Sequence, residues 1–399
     1  MKVCYIAVDV AVPHFRGAST HVYEVAKNLT RLGHTVHVIS RRLSPNQAGY
    51  ELLDGINVHR LYRGLVAPLP FSKYNKLDES SEQQEPRSLG KLYTKYLFTI
   101  YPRLVGHVAA RIIRRYGLDV IVERETSFGA GAVASTLTGK PMVLELIGPR
   151  YSKESLARSR KIILYTRSML QDPVSPEKLF FVSAATDTTS FKPDSAVRRA
   201  VREKFGFQNS TVIGYVGTFP KWHGVEELIH SSVSVLQRFP STKFLMVGPY
   251  YGYAKQLVEK LGLSSSFTFT GPVPYSEVPR YINASDIMVA PYNPAKSELR
   301  KKYGIGSPIK LFEYMACAKP VITTDIGIIT EVVQDGKTSI IVPQGARVGL
   351  SEAIVRLMEN PRVAAEIGQA GRVLVENQYS WMALAKGIEG VLEECVSKK

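Results

Sequence analysis

Short runs rich in β-branched residues alternate along this chain with longer stretches of helical periodicity, and they do so in two successive series. In the first series, strand candidates fall at 2–8, 35–39, 56–62, 118–123, 141–146, 161–165 and 178–183. In the second they fall at 211–217, 243–248, 267–271, 287–292, 320–324 and 339–343. Between them lie patterns such as 21–32, where Val22, Val25, Ala26, Leu29 and Leu32 share one helical face and Gly33 supplies a stop. Parallel strands need a crossover connection, usually a helix, so this alternation predicts an α/β chain with parallel sheets covered by helices on both faces. Two series predict two doubly wound, Rossmann-like domains facing across a cleft at the carboxyl ends of their strands. The expected domains are 1–190 and 206–375. The expected linker is 186–205, opened by the turn-rich stretch from Thr186 to Ser195, and a last helix within 376–399 packs back on the first domain.

Composition narrows the class. With 45% apolar and 22% charged residues, the 399-residue chain is neither disordered nor of low complexity. No window approaches the roughly 18 uninterrupted apolar residues of a spanning helix. Met1 to Asp9 reads as a buried first strand rather than a signal peptide, which points to the cytoplasm. Cys4, Cys317 and Cys395 are too scattered for a disulfide framework or a zinc site. The net charge of +16 is uneven: residues 1–205 hold 31 basic and 18 acidic residues, residues 206–399 hold 20 and 17. A cationic first half attracts nucleic acid, an anionic membrane surface or a phosphorylated substrate without choosing among them. The polar interval 68–90 leads into 91–103, where Tyr93, Tyr96, Phe98 and Tyr101 interleave with Lys91, Lys95 and Arg103. That is the composition of a helix lying in a membrane interface, or of a core helix with a basic edge.

Three constellations carry chemistry. Phe15 to Val22 is a glycine turn, with Gly17, Ala18 and Ser19, opening a helix capped by Ser19 or Thr20; amides at such a start suit an anion. Tyr303 to Ile322 contains Ser307 as an N-cap and Pro308 at the first helical position, so the amides from Ile309 onward point at whatever precedes them. Lys310 in that first turn has the wrong sign for the helix dipole, which suggests an anion to offset it, and Glu313 suits paired ribose hydroxyls. In Gly214 to Leu228, Lys221 and His223 follow a strand end and, with Lys310, are placed to hold both phosphates of a nucleotide leaving group. The aspartates never occur two apart, so no DxD motif is present; nor is a Walker motif, and GxGxxG does not follow the first strand. Metal-dependent transfer, P-loop chemistry and nicotinamide redox chemistry all lose weight.

These residues resemble the retaining glycosyltransferases of family 4, glycosyl transferases group 1, over nearly the whole chain. The resemblance rests on Gly17-Ala-Ser-Thr-His-Val22 with Leu32-Gly-His-Thr-Val36, on Thr186 to Pro193, on Lys310-Leu-Phe-Glu-Tyr-Met-Ala316, on Lys319-Pro-Val-Ile322, and on Glu331 to Gly336. It implies the GT-B fold. Glu313 would bind the ribose, Ile309, Lys310 and Leu311 the diphosphate, Val273 the base, and Gly17 with Ala18 and Ser19 the donor from the other domain. It also implies front-face transfer with retention and no metal, basic side chains and helix amides stabilising the departing diphosphate. Three departures from the family stand out, at four positions. Ile305 stands where a second Glu is usual, Thr218 and His223 stand where Arg and Lys are usual, and Ile147 stands where a His is common. That leaves Lys221 as a replacement charge and Glu145 as the nearby polar candidate for catalysis.

The expectation is therefore a hexosyltransferase using a nucleotide-diphosphate sugar, UDP ahead of GDP, with no cofactor beyond that co-substrate. Its acceptor is a lipid-linked or glycan precursor of the cell envelope at the inner face of the cell membrane, where the enzyme is peripheral. A nucleotide-sugar epimerase of the same fold is the alternative, and a nucleic-acid-binding module, suggested by charge alone, is the remote one.

Overall fold

The structure is a computed structural model. It describes residues 1–13, 17–61, 90–148, 151–183, 185–249, 252–303 and 308–397, without the side chains of 90–98, 299, 302 and 303. The chain divides into two compact units: Met1–Ser183 with Trp381–Lys399, and Ala184–Ser380.

The first unit is built on an eight-stranded sheet of β1 (Lys2–Ala7), β2 (Thr35–Arg41), β3 (Tyr50–Leu53), β4 (Ile56–Leu61), β5 (Val120–Arg124), β6 (Met142–Leu146), β7 (Lys161–Leu164) and β8 (Leu179–Phe181). Their order is β3-β4-β2-β1-β5-β6-β7-β8. Every described pairing is parallel except β3 with β4. β1 is apolar and buried from Val3 to Ala7, as a central strand covered on both faces must be. The sequence reading omits β3. Tyr50 and Leu52 lie exposed on this edge strand, so no buried alternation marks it. The helix Trp381–Ser397 belongs to this unit. It buries Trp381, Leu384, Ile388, Val391 and Leu392, and Glu389 meets His34 at 2.7 Å.

The second unit is built on a six-stranded, all-parallel sheet of β9 (Val212–Val216), β10 (Lys243–Val247), β11 (Phe267–Gly271), β12 (Ile287–Ala290), β13 (Val321–Thr324) and β14 (Ile340–Val342). Their order is β11-β10-β9-β12-β13-β14. Alternate residues feed two cores: Val212, Val216, Leu245 and Val247 on one face, Ile213, Tyr215, Phe244 and Met246 on the other. The stretch 186–205, expected as a linker, instead opens this unit. It ends in the helix Ser195–Phe205, capped by the Asp194 side chain accepting from the Val197 amide at 2.9 Å, and tied to Asp286 by Arg198 and Arg202.

Each sheet has a point where the strand order reverses, between β1 and β5 in the first and between β9 and β12 in the second. In open α/β sheets ligands bind outside the carboxyl ends of the strands at such points. Among the described residues no helix is long and apolar enough to cross a membrane.

Candidate functional site

At the reversal point of the second sheet, Gly217 follows β9 with a φ of 141°, a conformation L side chains rarely adopt. A Cβ there would stand 2.7 Å from the Lys310 ammonium, so glycine lets that side chain lie across the strand end. Lys310 comes from the helix Ile309–Ala316. Tyr314 anchors this helix, its hydroxyl accepting from the Val216 amide at 2.7 Å and donating to the Val216 carbonyl at 2.8 Å. Lys310 Nζ donates to the Tyr215 hydroxyl at 2.9 Å and lies over the rings of Tyr215 and Tyr292, 4.5 and 5.3 Å from their centroids. Among the described residues no carboxylate lies within ion-pair distance of it. Burial lowers its pKa to about 7, with a smaller opposing pull from Glu313.

Glu313, one turn further on, is 5% exposed and accepts from the Tyr275 hydroxyl at 2.7 Å. It is not an exposed helix carboxylate. Burial raises its pKa to about 7 against the lowering effects of the Tyr275 hydrogen bond and Lys310. One helix thus presents, at the strand ends, a half-buried cation with neutral partners and a buried carboxylate with a free oxygen's worth of acceptor capacity beside a tyrosine. An anionic group gains most from a cation that lacks a carboxylate, and a carboxylate at this spacing accepts from neighbouring hydroxyls.

Several expected contributions change. The helix starts at Ile309 with Pro308 at the N-cap and no side-chain cap bond; Ser307 and Ile305 lie outside the described residues. The amides of Ile309 and Lys310 open the first turn, but Leu311 is fully buried and its amide is already taken by the Pro308 carbonyl at 2.9 Å. Leu311 therefore supports the helix rather than offering a donor. His223 is held neutral by its surroundings. It is 9% exposed, and burial, followed by Lys310 only 3.2 Å away, holds its pKa well below the usual range. Its neutral ring gives the Nδ1 proton to the Thr218 carbonyl at 2.8 Å, since a carbonyl can only accept. Lys221 is exposed on the short turn Lys221–His223. Val273, after β11, is half-buried against the core that also holds Leu311.

The first unit has a polar cluster at its own reversal point. Gly17 opens the helix Gly17–Arg31 and is exposed, Ala18 is half-buried and Ser19 is buried; His14 to Arg16 lie outside the described residues. Glu145, expected as a catalytic group, is 2% exposed on β6 with both oxygens engaged, one by Tyr5 and the other by His21 Nε2 at 2.8 Å. Burial pushes it upward, yet the His21 and Arg124 charges with these hydrogen bonds hold it below the usual carboxylate range. It hydrogen-bonds His21, whose Nδ1 meets the Tyr165 hydroxyl at 3.1 Å. Nor is it the single polar group there. Arg124 pairs with Asp9 at 3.3 Å, and Glu125 accepts from the Ile147 amide at 3.1 Å.

Sequence reasoning misses Tyr215, Tyr275, Tyr292, Tyr5 and Tyr165, which set the environment of Lys310, Glu313 and His21. Tyr215 and Tyr292 stand at the ends of strand candidates, where a polar-tipped aromatic is a usable signal. Tyr275 sits 38 residues from Glu313 and carries none.

With that geometry in hand, comparison with known proteins is specific. Sucrose-phosphate synthase from Thermosynechococcus elongatus superposes with a TM-score of 0.74 over 100% of both chains at 18% identity, which establishes the GT-B arrangement of two parallel-sheet, Rossmann-like domains. Residues 15–172 match the family model described as Glycosyltransferase Family 4, and residues 210–360 match Glycosyl transferases group 1. The chain belongs to the family 4, group 1 glycosyltransferases. It is 29% identical over 220 residues to the GDP-mannose-dependent alpha-(1-6)-phosphatidylinositol monomannoside mannosyltransferase of Mycolicibacterium smegmatis. That match covers 54% of this chain and 57% of the relative, little more than half of its length. A D-inositol 3-phosphate glycosyltransferase of Frankia alni is 24% identical over 93% of each chain.

Proposed function

We propose that this protein transfers a hexose from a nucleoside diphosphate sugar to a lipid-linked or glycan precursor, with retention, without a metal ion, at the inner face of the cell membrane. The observation that carries the reading is the pair Lys310 and Glu313 on one anchored helix at the strand-order reversal of the second sheet. Lys310 and the first-turn amides meet the diphosphate, and Glu313 accepts from the ribose hydroxyls. Charge on the β-phosphate grows as the bond from the sugar's anomeric carbon to the phosphate oxygen breaks, and Lys310 stabilises it there. The anomeric carbon forms its new bond to the acceptor oxygen on the same face, and the acceptor's proton passes to the departing phosphate. Lys221, exposed on the short turn Lys221–His223, supplies a further cation for the leaving group.

The sequence ranks UDP above GDP, whereas the mycobacterial relative is named for GDP-mannose. The nucleotide is decided by titrating both. Calorimetry should give binding of one nucleoside diphosphate that weakens at least about tenfold in Glu313→Gln, and that discriminates less against the 2′-deoxynucleotide. Unaltered binding in both Glu313→Gln and Lys310→Ala would overturn the site. Conversion of the free nucleotide sugar without acceptor would overturn transfer in favour of epimerisation.

A further inference from the structure

From Pro86 to Leu118 the sequence carries seven Lys or Arg residues and no carboxylate. Within this interval the helix Gly90–Tyr116 packs against the helix Ala130–Thr138 and turns Tyr101, Val105, Ala109 and Ile113 into the first unit's core. The sequence leaves 91–103 open between an interfacial helix and a core helix with a basic edge; Tyr101, 5% exposed, belongs to the core face. The opposite face is different in kind. Ile100, Arg103, Leu104, His107, Arg111, Arg114 and Arg115 are all exposed and recur at i, i+3, i+4, i+7, i+11, i+14 and i+15, a stripe about 120° wide. Ile100 is 52% and Leu104 43% exposed, and Leu137 of the neighbouring helix, whose carbonyl Arg114 binds, adds a third exposed aliphatic side chain at 36%.

We infer that this stripe docks on an anionic lipid surface. Arginines alone would suit any polyanion, but Ile100 and Leu104 on the same stripe gain only where an apolar phase lies beneath the charged layer, which nucleic acid does not provide. The first unit as a whole supports the charge term, with 29 basic and 18 acidic residues in Met1–Ser183 and Trp381–Lys399. Each basic residue at an anionic surface contributes about 1 kcal/mol. The inference rests on the membrane-borne acceptor of the proposed function and names the face that meets the membrane.

Flotation of the full chain with phosphatidylcholine vesicles, with and without phosphatidylglycerol, tests it. Wild type should float with the anionic vesicles at low salt and not with the neutral ones. Ile100→Ser with Leu104→Ser, and separately Arg103→Glu with Arg111→Glu, should each reduce binding about tenfold or more. Arg103→Gln with Arg111→Gln serves if charge reversal disturbs folding, which thermal unfolding of each variant reports. No flotation of wild type, equal binding to neutral vesicles, or wild-type binding by all the variants would overturn it. So would RNA competing for the protein at equal phosphate concentration. Nucleoside diphosphate titration of the same proteins keeps the two readings apart: nucleotide binding without flotation sinks the docking face and leaves the donor site, and flotation without nucleotide binding does the reverse.

Discussion

Lys310 is poised near neutrality because burial opposes its charge while its partners, Tyr215, Tyr292 and a neutral His223, do little to restore it. A diphosphate favours the ammonium form, so binding raises its pKa and takes up a proton wherever the free protein is already deprotonated. The sign is then fixed. The Lys310 contribution to nucleoside diphosphate affinity is fully present below pH 7 and falls as pH rises above it, by up to about tenfold per unit, whereas the Glu313 contribution, which needs the carboxylate, is lost as pH falls through about 7. Lys310→Arg, charged throughout, should flatten this dependence. Calorimetry between pH 6.5 and 9 in buffers of different ionisation enthalpy checks both statements. The residue types at this site are legible in the sequence because Lys310 and Glu313 share a helix with a marked start. Their electrostatic state is not. It is set by burial among elements brought together by strand order, including tyrosines 95 and 38 positions away, rather than by any local pattern.

Among the elements, strands buried on both faces announce themselves as short apolar runs, and the thirteen strand candidates each overlap an observed strand. β3 escapes because an exposed edge has no such run. The helix Ser195–Phe205 escapes because its capping Asp194 sits in Pro- and Ser-rich surroundings that read as a turn. The turn at Gly224 is equally specific in its demands. With φ at 73°, a Cβ would stand 1.7 Å from the Pro291 carbonyl, so Gly224→Ala should cost about 2–4 kcal/mol, read by urea denaturation. The last helix, Trp381–Ser397, is a core member of the first unit rather than an appendage. Leu392, fully buried there, should cost about 2–5 kcal/mol on change to Ala.

For the molecule as a whole, the two units have separate cores and separate reversal points, and the nucleotide part of the donor reading rests on the second. Hydrogen exchange in saturating nucleoside diphosphate should slow amides in the helix Ile309–Ala316 and around Gly217 to Gly224, leaving the core strands of the first unit unchanged. Protection confined to Met1–Ser183 would refute the assignment. Transfer should also survive EDTA, and a chelator-dependent loss restored by a divalent cation would refute the metal-free mechanism.

The second unit begins and ends at one place. The Thr186 amide donates to the Tyr379 carbonyl at 3.0 Å, and Thr186 bridges to Ser380 in parallel. A segment with adjoining ends behaves as a cassette in inheritance. Two recombination junctions, a few ångströms apart though nearly 200 codons distant along the gene, are enough to exchange the unit whole, and with it the proposed nucleotide site, while the basic scaffold around it keeps its own chain path.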